Sequence, residues 1–190
     1  MTDGWIQTFT GRRFYPLAPR ASDVDVCDIA HALAMKCRFT GHCRPFYSVA
    51  QHSVCVGRWV DGAGLNPRMG MIGLLHDAAE AYLPDVARPI KPLWPGFAER
   101  EAAVLAAVHE ALGVALPDEA ERAAIKEADG LMMATEGAKF FPAELWRGWD
   151  VPHSAETWFV IEPMSPQAAE LEFLREYVRL SDALPPEAIR

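Results

Sequence analysis

Three separate helical stretches each turn an ionisable residue toward their apolar side. At 100° per residue, His52 lies among Val49, Cys55, Val56 and Trp59. His76 shares a face with Met69, Ile72 and Gly73, with Asp77 adjacent and Glu80 one turn on. Asp129 lies with Ile125, Ala128 and Met132. A lone inward histidine ordinarily finds one hydrogen bond, and a lone aspartate a nearby backbone group. Together they ask for more, because burying ionisable groups is costly unless they are paired or hold a metal. One divalent cation would satisfy His52, His76, Asp77 and Asp129 at once. Two imidazoles with two carboxylates suit Mn, Co, Zn, Fe or Ni, not an all-oxygen calcium cage. Four ligands can close a structural tetrahedron, or leave positions on an octahedral ion for water and substrate. The residues alone leave that choice open.

The elements that must position this set are helical. "DVCDIAHALAMKC" reads as a first helix, and Ser48 can cap a second through "VAQHSVCVGRWV", stopped by Gly62 and Gly64. Asn66-Pro67 is a cap followed by proline in the first turn, so a third helix is expected through "RMGMIGLLHDAAEAY" to Pro84. Four prolines make "LPDVARPIKPLWPG" a loop. "FAEREAAVLAAVHEALG", "DEAERAAIKEADGLMMATEGAKFF" and "QAAELEFLREYVRL" complete about six helices. Strand signals are confined to the first 20 or so residues, where "WIQTFTGRRFYPL" suggests a short hairpin around Thr10-Gly11. The expected fold is an all-α bundle in a single domain spanning residues 1–190.

Composition narrows the function. The chain of 190 residues is 51% apolar and 23% charged, an ordinary globular balance. A net charge of −8 repels polyanions, which disfavours nucleic-acid polymers as partners. A small anionic substrate is still accommodated if positive charge is concentrated locally, and Arg12, Arg13, Lys36, Arg38, Arg44, Arg88 and Lys91 offer it. No apolar run approaches the about 20 residues of a membrane span, and the N-terminus lacks a signal-peptide stretch. A cytoplasmic protein with no membrane partner is expected. The four cysteines, 27, 37, 43 and 55, contain no C-x-x-C pair and read as reduced thiols. A zinc site from Cys37, His42 and Cys43 lacks a fourth ligand and a standard spacing.

The ordered set His52, His76-Asp77, Asp129 resembles the HD-domain phosphohydrolase superfamily. "YSVAQHS", "LLHDAAEAYLPDVARPIK" and "IKEADGLMMATE" look like its branch of 5′-deoxynucleotidases and phage-type deoxynucleoside triphosphate hydrolases. The likeness extends over about residues 25 to 140. It implies a helical bundle holding a metal on those four residues. It also implies a catalytic role for Glu80 and substrate contacts for Arg38 and Phe39. Two departures stand out: relatives commonly carry glutamate just before the first histidine, where this chain has Gln51, and the N-terminal hairpin has no counterpart.

The residues around the proposed ligands read in the same direction. Phosphate-ester hydrolysis needs a nucleophilic water and charge neutralisation on phosphoryl oxygens, and a metal serves both needs. Glu80, four residues after His76, would orient or deprotonate the water; otherwise it is a solvated helix-end carboxylate. Asp85 either protonates the leaving oxygen or caps the turn before "ARPIK". Arg38 and Lys91 are candidate phosphate clamps, Arg38 with a bidentate fork. Phe39 stacks on a base or plugs the core. His42 and Arg44 share the Arg38 loop and are weaker candidates. His31, His109 and His153 show no acidic partner in the pattern, and Trp146, Trp149 and Trp158 are expected to cover one end of the bundle.

The leading expectation is a metal-dependent phosphohydrolase acting on nucleoside 5′-monophosphates, with Mg a further possibility alongside substrate phosphates. Triphosphate or guanosine tetraphosphate hydrolysis is the alternative within enzymes, and a non-catalytic metal-dependent nucleotide-binding protein the alternative of another class. Self-association is expected, with the Trp/Phe-rich residues 140 to 160 as the candidate interface.

Overall fold

The computed structural model describes residues 4–62, 64–149 and 160–184. His153 and Trp158 lie outside the described residues, as do residues 150–159 of the candidate interface. The described chain is all-α with a small hairpin. Strands β1 (Ile6–Gln7) and β2 (Arg13–Phe14) pair antiparallel, Ile6 opposite Phe14. The helices are α1 (Val26–Met35), α2 (Val49–Asp61), α3 (Pro67–Leu75), α4 (Phe97–Ala111), α5 (Glu119–Phe140), α6 (Ala143–Trp146) and α7 (Pro166–Ala183).

Local chemistry sets most of these boundaries. Ser48 accepts from the Gln51 amide to start α2, which ends on Gly62 at φ 60°. Asn66 accepts from the Met69 amide, with Pro67 at the first position of α3. Asp118 and Glu121 form a reciprocal capping box at the head of α5. Ser165 caps α7 through the Ala168 amide.

Seven α-helices lie among the described residues, in line with the about six expected, the added one being the four-residue α6. One expectation needs correction: α3 stops at Leu75 instead of running to Pro84. His76 keeps helical torsions, but Asp77 turns to φ −100° and ψ 12°, and a 3-10 turn over Ala78–Ala81 follows. Glu80 is therefore not on a continuation of the α3 face. Lys36, at the end of α1, donates to the carbonyls of Glu80 and Leu83 and fastens this turn. Periodicity alone cannot register that tertiary contact.

The main core joins Ile29 and Leu33 of α1 to Val54, Met71, Leu74, Val104, Phe173 and Leu180. A second cluster, with Tyr47, Val56, Ala128, Met132 and Phe140, packs between α2 and α5. The hairpin is latched onto α1. The Thr10 amide and hydroxyl donate to buried Asp28 at 2.6 and 2.9 Å, and Phe9 stacks on His31. Phe14 stacks on Tyr82 at 3.8 Å, which ties the hairpin to the segment following the site.

Helices α2 and α3 approach closely enough to require glycine. A Cβ on Gly73 would meet Gly57 Cα and Val60 Cγ2, each at 2.9 Å. Gly73→Ala should force the helices apart and cost about 1–3 kcal/mol, the range for overpacking. His76 follows Gly73 by three residues, so metal affinity should fall with stability. Chemical denaturation and metal titration read the two effects, and an unchanged unfolding midpoint would refute the close-packing argument.

Candidate metal centre

Three elements deliver the inward groups: α2 carries His52, the end of α3 carries His76, and α5 carries Asp129. Their donor atoms lie within 4.8 Å of one another. Among the described residues no other trio of His, Cys, Asp or Glu donors converges in this way. His52 Nε2 is 3.2 Å from Asp129 Oδ1. Asp77 Oδ2 lies 3.3 Å from His76 Nε2 and 3.8 Å from His52 Nε2. The break after Leu75 makes this possible, since successive residues of a continuous helix point 100° apart.

The histidines are oriented from behind. His76 Nδ1 donates to the Gly73 carbonyl at 2.7 Å, which places its Nε2 toward the cluster. Both Nε2 atoms are buried without a hydrogen-bond partner; the short approach of His52 to Asp129 is misaligned for one. Unsatisfied buried nitrogens facing two carboxylates are costly unless something else sits between them. Metal–ligand bonds of about 2.1 Å put neighbouring donors of an octahedron about 3.0 Å apart, and those of a tetrahedron about 3.4 Å apart. The separations of 3.2 and 3.3 Å fall in that range, whereas Asp77 Oδ2 at 3.8 Å from His52 Nε2 lies beyond it and outside the trio that converges within 4.8 Å. The donor set thus fits a divalent transition metal.

The charged groups of the cluster shift one another's proton affinities. Burial disfavours the charged His76, but the Asp77 carboxylate, reinforced by Asp129, lifts its pKa to about 9. For His52, burial and Arg38 oppose the charge, and Glu136 with Asp129 outweighs them. Burial would raise Asp77 and Asp129, yet the two imidazoles and Arg38 hold both well below the usual carboxylate range. A cation arriving here meets two ionised carboxylates and displaces imidazole protons.

Glu80 behaves differently. It is buried, and burial together with the charges of Asp77 and Asp85 pushes its carboxyl up to about 7. Lys91 and Arg38 pull the other way, Lys91 Nζ lying 3.8 Å from Glu80 Oε1. A carboxyl near neutrality in proton affinity can exchange a proton at ordinary pH.

The remaining candidates take varied positions. Arg38 Nη1 is 3.8 Å from Asp77 Oδ2, inside the cluster. Phe39 packs with Phe141 and Trp149, at centroid distances of 5.1 and 5.5 Å, in an aromatic wall beside Arg38. Lys91 is also paired to Glu101 at 2.9 Å. Asp85 is exposed and, among the described residues, makes no hydrogen bond or ion pair; its reach into the site is its charge on Glu80. His42 and Arg44 are exposed. The Cys37 and Cys43 thiols are 3.8 Å apart without His42 completing a ligand set, and all four cysteines are free. His31 does find an acid, Glu170 of α7 at 3.0 Å. His109 Nδ1 donates to the Val114 carbonyl at 3.1 Å. Trp146 is buried and packs with Trp149 on Gly137 of α5.

Pattern reading missed three residues. Arg88, read as local positive charge for an anionic substrate but not as a partner of the cluster, places Nη2 2.6 Å from Asp129 Oδ2. Tyr47 and Glu136 form a buried layer behind His52: Glu136 Oε1 accepts from the tyrosine hydroxyl at 2.9 Å and from His52 Nδ1 at 2.6 Å. The spacing of seven between Asp129 and Glu136 on one helix face was the available signal.

The Gln51 departure has a structural cause. Its buried amide donates Nε2–H to the Glu162 carbonyl at 2.6 Å and accepts from the Met164 amide at 3.0 Å. It thereby pins the approach to α7, and an ionised carboxylate cannot donate the first of these bonds. Gln51→Glu should destabilise the protein by about 1–3 kcal/mol, the cost of a buried unsatisfied polar group. An unchanged urea midpoint at neutral pH would contradict this.

The comparisons with known proteins place the chain in a family without naming its chemistry. The chain belongs to the family that includes the uncharacterized protein YfdR of Escherichia coli and the uncharacterized protein RCAP_rcc00048 of Rhodobacter capsulatus. It is 38% identical to the first over 132 residues, 70% of each chain. It is 36% identical to the second over 162 residues, 80% of this chain and 82% of the relative. No family model matches the chain. No helix among the described residues is long and apolar enough to cross a membrane.

Proposed function

We propose that the protein is a metal-dependent phosphohydrolase of the HD-domain type, acting on (deoxy)nucleoside 5′-monophosphates in the cytoplasm. The observation that carries this reading is the pair of buried, unbonded imidazole nitrogens of His52 and His76 facing the carboxylates of Asp77 and Asp129. These four residues would hold one transition-metal ion. When bound, that ion supplies Lewis-acid stabilisation of phosphoryl charge and acidifies a water molecule.

The chain's own residues account for the rest. Glu80, near neutral in proton affinity, takes the proton of the attacking water as its oxygen bonds to phosphorus. The bond from phosphorus to the 5′ oxygen breaks, and a proton reaches that oxygen from Asp85 or from solvent. Arg38, Arg88 and Lys91 bring positive charge to the edge of the site, which supports an anionic substrate despite the net charge of −8. The aromatic wall of Phe39, Phe141 and Trp149 offers a face for a base. The free thiols support the cytoplasmic assignment. We propose self-association on the same footing, with exposed Leu145 at its edge.

The test is phosphate release by purified, metal-stripped protein given nucleoside mono- and triphosphates and guanosine tetraphosphate, with Mn, Co, Zn or Mg restored. Metal-dependent release from monophosphates is expected. Release only from the other substrates would reassign the substrate. No release with metal demonstrably bound would overturn the enzymatic reading in favour of a binding protein.

A further inference from the structure

Glu136 is wholly buried on α5, yet it is a carboxylate held by three hydrogen bonds and a further ion-pair contact. Its Oε1 receives His52 Nδ1 and the Tyr47 hydroxyl. Its Oε2 receives a hydrogen bond from Arg38 Nε at 3.1 Å and pairs with Nη2 at 3.0 Å. Buried carboxylates survive only with such complete pairing. The arrangement divides the carboxylate between two tasks. One oxygen holds the proton of His52 on Nδ1, so the Nε2 lone pair faces Asp129 and Asp77. The other grips one edge of the Arg38 guanidinium and leaves Nη1 facing Asp77 at 3.8 Å.

The loop after Arg38 adds a second observation. Phe39 and Thr40 both adopt left-handed torsions, at φ 55° and 54°, which non-glycine residues rarely occupy. Such strain persists where the surroundings over-determine it. Here the Arg38 side chain is held by Glu136, and the Arg38 amide donates to the Tyr47 carbonyl at 2.8 Å.

We propose that Glu136 is a positioning residue that sets the ligating face of His52 and the aim of Arg38 together, coupling the metal centre to the anion-binding arm. This rests on the metal-centre reading above. His52 belongs to the metal side and Arg38 to the substrate side, so a single buried carboxylate registers one against the other.

The test uses the full chain and two probes, Mn²⁺ alone and inorganic phosphate on Mn²⁺-loaded protein, both followed by calorimetry. Glu136→Gln should weaken Mn²⁺ binding about 10–100-fold, the usual effect of losing an outer-shell partner, and weaken phosphate binding at saturating Mn²⁺. Because that substitution leaves the Arg38 guanidinium without its carboxylate, the paired variant Arg38→Met/Glu136→Gln removes both charges. It should show the same loss of Mn²⁺ affinity. Either variant, folded and binding Mn²⁺ as tightly as wild type, overturns the proposal, and a lower melting temperature alone would mark Glu136 as merely structural. Independently of any variant, long-range ¹H–¹⁵N spectra of the Zn²⁺-loaded wild type should place the His52 ring proton on Nδ1. A proton on Nε2 overturns the proposal. Failure of the wild type to bind any divalent cation would instead bring down the metal-centre reading itself.

Discussion

Asp129→Ala is expected to abolish metal binding and turnover together while leaving the protein folded. Asp129 lies 3.2 Å from His52 Nε2 and is one of the three residues whose donors converge most tightly. Removing it takes away a charged ligand, so the loss should exceed the about 10–100-fold typical of outer-shell changes. Folding should survive because Asp129's other partner, Arg88, has a side chain 53% exposed and can return to water. Exposed ion pairs of that kind contribute about 0–1 kcal/mol. Elemental analysis after dialysis, with phosphate release assayed in parallel, reads the result. An Asp129→Ala protein that still holds a stoichiometric, tightly bound ion would remove Asp129 from the ligand set.

Glu80→Gln should do the opposite: keep the metal and lose rate by about 10²–10⁴-fold, the usual contribution of general-base catalysis. The pH profile supplies a second readout. Burial and neighbouring negative charge raise the Glu80 carboxyl to about 7, so below that pH it is protonated and cannot accept a proton. Wild-type turnover should therefore rise with pH through this region. A bound cation favours the ionised carboxylate, so the midpoint of the metal-loaded protein should fall at or below about 7. That limb should vanish in Glu80→Gln. Wild-type turnover in the variant, or an unchanged acid limb, would remove Glu80 from the proton-transfer step.

The sequence determined the helical class, most helix starts and the ligand candidates. Ser48, Asn66, Asp118 and Ser165 act within a few residues of themselves, so their capping is local chemistry that survives whatever surrounds it. His52, His76 and Asp129 were legible because an ionisable residue within an apolar stripe contradicts its neighbours. Gly73 and Gly57, by contrast, look like ordinary small residues until two helices are pressed together.

Only the tertiary structure decided how α3 ends, which donors face one another and what lies behind them. The periodicity of "GLLHDAAEAY" continues past Leu75, but Lys36 from α1 captures the carbonyls of Glu80 and Leu83, and the backbone turns at Asp77. That turn brings two adjacent residues to one cluster. Arg88 and Glu136 entered the site by the same route, through contacts spanning 41 and 84 residues. A pattern in one helix reports which side of it is buried. It carries no information about the distance between groups on different helices, and metal chemistry depends on that distance.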